Sequence, residues 1–136
     1  RGVALAVATS ASQGRARSTL SRLGLLGFFD AVVTGDDVLR GKPDPAIYSL
    51  ARERLQLEAK YILAVEDAVS GVQAAVAADL RCIGIALHES PEKLMAAGAL
   101  LVVREFNALN WEDMKNMLQR RNADDGQIAA TGSINS

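Results

Sequence analysis

Aromatic residues are scarce, at 4% of the chain, although nearly half of it is hydrophobic. A core must therefore rest on Ala, Val, Leu and Ile, which suits a buried parallel sheet covered by helices. Cysteine is nearly absent: Cys82 is alone, so no internal disulfide can form, and its apolar surroundings mark it as a buried thiol suited to a reducing, cytoplasmic setting. Charge of one sign is missing too. Fifteen basic against sixteen acidic residues leave a net charge of -1, which removes the electrostatic argument for nucleic acid or an anionic membrane as partner. No apolar run approaches the ~18 residues of a membrane span, and the N-terminus shows no signal-peptide pattern. The chain thus reads as soluble. It opens on Arg1 with strand-like sequence from Val3, as a processed, cloned or cut polypeptide would.

What is present is a regular alternation of apolar runs and helical patterns. Strands are expected over Val3 to Ala8, Ala31 to Thr34, Tyr61 to Val65, Cys82 to Leu87 and Leu100 to Val103. Helices are expected between and after them. The first, over Gln13 to Leu23, places Ala16, Leu20 and Leu23 on one face; the second follows an Asp44-Pro45 cap and turns Ile47, Leu50, Ala51 and Leu55 inward. The third, over Val69 to Ala78, places Val72, Ala75, Val76 and Asp79 near one face. The fourth opens at Ser90-Pro91 and ends at Gly98, and the fifth, capped by Asn110, has Trp111, Met114, Met117 and Leu118 on its apolar side. From residue 122 the sequence is polar, small and aperiodic, as in a disordered tail, so residues 1–121 form the expected domain. Strand-helix alternation predicts a doubly wound α/β sheet of parallel strands, whose ligands bind beyond the carboxyl ends of the strands.

Three loops at those ends carry polar chemistry. Thr9-Ser10-Ala11-Ser12-Gln13-Gly14 is a hydroxyl-rich turn at a helix N-terminus, able to hold phosphate oxygens but equally an ordinary cap. Gly41-Lys42-Pro43-Asp44-Pro45 holds one lysine between turn-forming residues, where it presents a point charge to phosphate or is simply solvated. Glu66-Asp67 follows the third apolar run; such carboxylates suit Mg2+ or cap a helix dipole. Occurring in order, each after its own strand, the three would assemble a magnesium-phosphate pocket. No Gly-x-Gly-x-x-Gly turn follows the first strand, which argues against dinucleotide binding. His88, a lone surface histidine, receives no role.

The motifs resemble those of the haloacid dehalogenase superfamily. Val7-Ala8-Thr9-Ser10 resembles its second motif, Gly41 to Tyr48 its third, and Val65 to Ala75 its fourth, in the branch of β-phosphoglucomutase and the small sugar-phosphate phosphatases. The resemblance implies a Rossmann-like core in which Thr9 and Ser10 bind phosphate, Lys42 neutralises it, and Asp67 binds Mg2+ with Glu66 assisting. Ala46 and Ala68 stand where the family commonly has Asp and Ser. The family's first motif, an Asp-x-Asp whose first Asp is the nucleophile, does not occur here, and neither does the cap domain that follows it. By the same resemblance, the strand bearing that motif is central, lying between the strands represented here by Val3 to Ala8 and Tyr61 to Val65.

The chain is therefore expected to be an incomplete core with two open inner edges. A separate N-terminal fragment or second chain would supply the strand, the edges would close on each other, or the chain would pair through them as a homodimer. Completed, it would handle small phosphorylated metabolites as a phosphatase or phosphomutase. The rival is a non-catalytic binding or assembly module that uses its exposed sheet edge.

Overall fold

The computed structural model describes residues 2–119 and 134–135. Among these residues the expected alternation forms: β1 (Ala6–Ala8), α1 (Gln13–Arg22), β2 (Ala31–Val33), α2 (Ala46–Leu55), β3 (Leu63–Glu66), α3 (Val69–Ala77), β4 (Arg81–Ile85), α4 (Pro91–Ala97), β5 (Leu101–Val103), α5 (Trp111–Gln119) and β6 (Ile134–Asn135). The tail expected from residue 122 lies, apart from β6, outside the described residues. No described helix is long and apolar enough to cross a membrane.

Local chemistry sets most helix ends. Ser12 accepts the Arg15 N–H to start α1, and Ser90 accepts that of Lys93 to start α4, with Pro91 in the first turn. Gly98 closes α4 at φ 117°, a conformation in which a side chain is strained, and a Cβ there would come within 2.8 Å of Val76. Asn110 and Asp113 exchange two hydrogen bonds at the start of α5. α2 begins one residue later than expected, with Pro45 rather than Asp44 at its N-cap, while the Asp44 carboxylate accepts the Ala46 N–H at 2.9 Å just ahead of it.

All strand pairs are parallel, but they form two sheets rather than one. In the first, β1 lies beside β2 with Val7 opposite Val32. The second runs β3-β4-β5-β6, with Ala64 opposite Cys82 and Ile83 opposite Leu101. β1 and β3 are not hydrogen-bonded to each other, so of the three expected alternatives the closing of the two inner edges on each other is not the one formed. A cavity of about 880 Å³ is lined by residues 2–8 on one side and 61–67 on the other. Val3, Leu5, Tyr61, Val65, Phe106 and Trp111 line it and stay exposed to solvent.

The core is aliphatic: Val33, Ile47, Ala51, Val72, Ala74, Ala75, Cys82, Leu94 and Val102 pack together. Small residues bring the helices close. A Cβ at Gly84 in β4 would meet Leu94 of α4 at 3.2 Å. Several residues expected to face inward do not. Leu23 stands beyond the last turn of α1, Val76 lies against Gly98 rather than under the sheet, and Asp79 follows α3 in the left-handed region at φ 64°. All three are exposed, as is Trp111, which faces the open cavity.

Two core groups make stability sensitive to alkali. Burial first, then the charge of Glu66, pushes the Cys82 thiol up from 9.0 to about 12, and the same two causes raise the Tyr48 phenol well above its ordinary range. Both stay protonated in the folded chain while the unfolded chain releases their protons, from pH 9 for the thiol and about pH 10 for the phenol, so stability falls as pH rises. We expect the Cys82 share of this loss to reach about 2 kcal/mol by about pH 10.5. Urea denaturation of the parent and of Cys82→Ala measures it; a difference between the two that does not change from pH 8 to 10.5 contradicts the assignment.

Candidate active site

The polar residues gather where β1 and β3 end. The Lys42–Pro43 peptide is cis, and the loop carrying it is fastened to the start of α2 by the bond from the Ala46 N–H to Asp44. From this loop the Lys42 ammonium donates to the carbonyl oxygen of Ala8 at 3.0 Å and to Glu66 Oε2 at 2.6 Å. Ala8 ends β1 and Glu66 ends β3, so one ammonium joins the two sheets across the cavity. The side chains of the pair are 12% and 7% exposed. Breaking such a buried pair by removing one partner costs about 3–5 kcal/mol, because the other charge is left uncompensated.

Glu66 is held from two further directions. The Tyr48 hydroxyl, in the first turn of α2, donates to the same Oε2, and the Tyr48 ring centroid lies 5.3 Å from the Lys42 ammonium. On the other side, a Cβ at Gly71 would fall 1.9 Å from Glu66 Oε1. The absence of a side chain at Gly71, in the first turn of α3, is what leaves room for the carboxylate.

The hydroxyl turn lies at the end of β1. Thr9 continues the ladder, its N–H donating to Val33 O at 3.0 Å, and its Oγ1 accepts the Ala11 N–H at 3.2 Å. Asp36 accepts the Gln13 N–H at 2.8 Å, so the chain's own groups satisfy part of the α1 N-terminus. Gly35 backs this turn: its N–H donates to Ala11 O at 2.8 Å, and a Cβ there would sit 2.5 Å from Ser10 O. Ser10 and Asp67 are both exposed, Ser10 beyond β1 and Asp67 directly after Glu66. His88 is exposed past β4 and makes none of these contacts.

The structure thus brings Lys42 to Glu66 and to the residue preceding Thr9, with Asp67 adjacent. Tyr48 and Gly71 lie within the third and fourth motif segments, and the sequence alone assigns them no role. The sequence does hold one signal for Tyr48: it neighbours Ile47 on the inward side of α2, and a buried phenol needs a hydrogen-bond partner.

Gly71→Ala provides a check on this geometry. In a helix the exchange ordinarily stabilises, by roughly 0.5–1 kcal/mol. Here the new methyl group overlaps the Glu66 carboxylate, so a loss of about 1–3 kcal/mol is expected in urea denaturation. A gain in stability would show that the carboxylate is not fixed there.

Residues 1–85 match the family model of the haloacid dehalogenase-like hydrolases. A phosphorylated carbohydrates phosphatase of Thermotoga maritima is 41% identical over 110 residues, covering 79% of this chain and 51% of that protein. Among solved structures, CbbY from Rhodobacter sphaeroides in complex with phosphate superposes with a TM-score of 0.73 at 34% identity, over 80% of this chain and 49% of that one. β-Phosphoglucomutase from Clostridium difficile gives 0.74 at 26% identity, over 85% and 49%. The chain spans about half the length of the relatives it matches. Its parallel α/β architecture is that of an incomplete Rossmann-like core, and with the motif residues of β1, the Lys42 loop and β3 in their strand-end positions, the chain belongs to the haloacid dehalogenase-like hydrolase family.

Proposed function

We propose that this chain supplies the electrostatic part of a phosphoryl-transfer site for small phosphorylated metabolites, and that the strand bearing the nucleophile occupies the cavity between β1 and β3. The observation that carries the reading is the Lys42 ammonium, fixed between the two strand ends that border the cavity. An ammonium has three donors and two are used, which leaves one for a phosphate oxygen. Thr9 Oγ1 accepts from Ala11, so its own proton serves a second oxygen. The exposed hydroxyl of Ser10 lies in the same turn.

In the reaction, a carboxylate on the added strand attacks phosphorus and the ester P–O bond to the alcohol breaks. The resulting aspartyl-phosphate passes its phosphoryl group to water in a phosphatase or to a sugar hydroxyl in a mutase. Lys42 stabilises the charge on the transferring group throughout. Mg2+ fits this donor set as far as the chain provides it. Among the described residues no cluster of three or more His, Cys, Asp or Glu could hold a metal, but Mg2+ commonly takes one or two protein carboxylates, with waters and substrate phosphate for the rest. Asp67 would hold it directly. Glu66, its Oε2 taken by two donors, anchors Lys42 and would only assist the metal. Bound Mg2+ supplies charge neutralisation to the phosphate. A cytoplasmic setting fits the single buried thiol.

The same cavity supports a second reading, a non-catalytic assembly module that takes up a partner's strand or a second copy, since β1 and β3 are unpaired there and apolar side chains stay exposed along it. Catalysis separates the two. In the native gene product with Mg2+, hydrolysis of p-nitrophenyl phosphate is expected, with kcat/KM reduced about 10²-fold or more by Lys42→Ala and by Asp67→Asn. Undiminished turnover in both variants contradicts the phosphoryl-transfer reading, and a folded product without hydrolysis favours the assembly module.

A further inference from the structure

Tyr48 shares an acceptor with the residue on which the proposed phosphate site depends. Its hydroxyl and the Lys42 ammonium both donate to Glu66 Oε2, and the phenol is buried in the core beneath the strand ends. The carboxylate is confined on its other side by α3, where only a glycine fits. Glu66 therefore sits in a three-sided socket: Lys42 from the loop after β2, Tyr48 from α2, and the first turn of α3 at Gly71.

A carboxylate held by one ammonium alone can rotate with its partner. A second donor on the same oxygen removes that freedom and fixes where the ammonium must lie. We infer that Tyr48 is a positioning residue: through Glu66 Oε2, its hydroxyl fixes the Lys42 ammonium at the end of β1 and keeps the third Lys42 donor aimed at the phosphate. This inference rests on the proposed phosphoryl-transfer reading for its consequence in turnover, but not for the geometry itself. Tyr48→Phe separates the two contributions of the side chain, because it keeps the ring that faces the ammonium and removes only the hydroxyl.

The experiment compares the native gene product with its Tyr48→Phe, Glu66→Gln and doubly substituted forms. In ¹⁵N-labelled protein the Lys42 ammonium, assigned by its loss in Lys42→Ala, is expected as a slowly exchanging signal that broadens away in Tyr48→Phe. With p-nitrophenyl phosphate, Tyr48→Phe is expected to lower kcat by between about tenfold and a hundredfold, with KM changed by less than about threefold. In the Glu66→Gln background the same substitution is expected to have no further effect, since the hydroxyl acts through that carboxylate. An unchanged Lys42 signal in Tyr48→Phe overturns the inference, even if the variant melts at a lower temperature, and so does full additivity of the two substitutions. If the parent does not hydrolyse phosphomonoesters, the phosphoryl-transfer reading fails and the ammonium signal alone decides the role of Tyr48.

Discussion

One buried ammonium ties together the strand ends on which the candidate site is built. Lys42 comes from the loop after β2, yet its hydrogen bonds are to the ends of β1 and β3, one in each sheet. A charge so little exposed is tolerable only when paired and hydrogen-bonded, so its partners are constrained in turn. Glu66 must be placed to receive it, Gly71 must be small enough to admit Glu66, and α2 must turn Tyr48 toward the same oxygen. The site is thus built from three successive strand-helix junctions, and no single one of them would form it.

The cavity beside that ammonium is the counterpart of the interaction. β1 and β3 each pair with a neighbour on one side and face the cavity on the other. A sheet edge left open to a partly apolar cavity is costly, because the water that satisfies its backbone also wets Val3, Leu5 and Val65. Adding a strand would pair both edges and cover those side chains together. It would also bring that strand's carboxyl end beside Lys42 and Asp67, so the completion of the sheet and of the proposed site are one event.

Much of this was legible from local sequence, and the remainder depends on distance along the chain. Ser12, Ser90, Gly98 and Asn110 were readable as helix ends because each cap bonds a backbone group only a few residues away. The site candidates stood out because Thr9, Lys42 and the Glu66-Asp67 pair each follow an apolar strand. The Lys42–Glu66 pairing spans 24 residues and the Tyr48–Glu66 bond spans 18, so no local pattern announces them. The inward faces failed where tertiary neighbours decide burial: Val76 meets Gly98 of another helix, and Trp111 borders the cavity instead of a covered sheet. The split into two sheets was implied by a missing motif rather than by any residue present.

The central proposal is that Lys42 and Thr9 bind a phosphate at the mouth of this cavity, with Asp67 holding Mg2+ beside it. A crystal structure of the native gene product grown with Mg2+ and inorganic phosphate tests it most directly. The account predicts a phosphate oxygen within hydrogen-bond distance of Lys42 Nζ and Thr9 Oγ1, Mg2+ on Asp67, and a strand paired with both β1 and β3. A phosphate bound elsewhere, with the edges of β1 and β3 still unpaired, would contradict it.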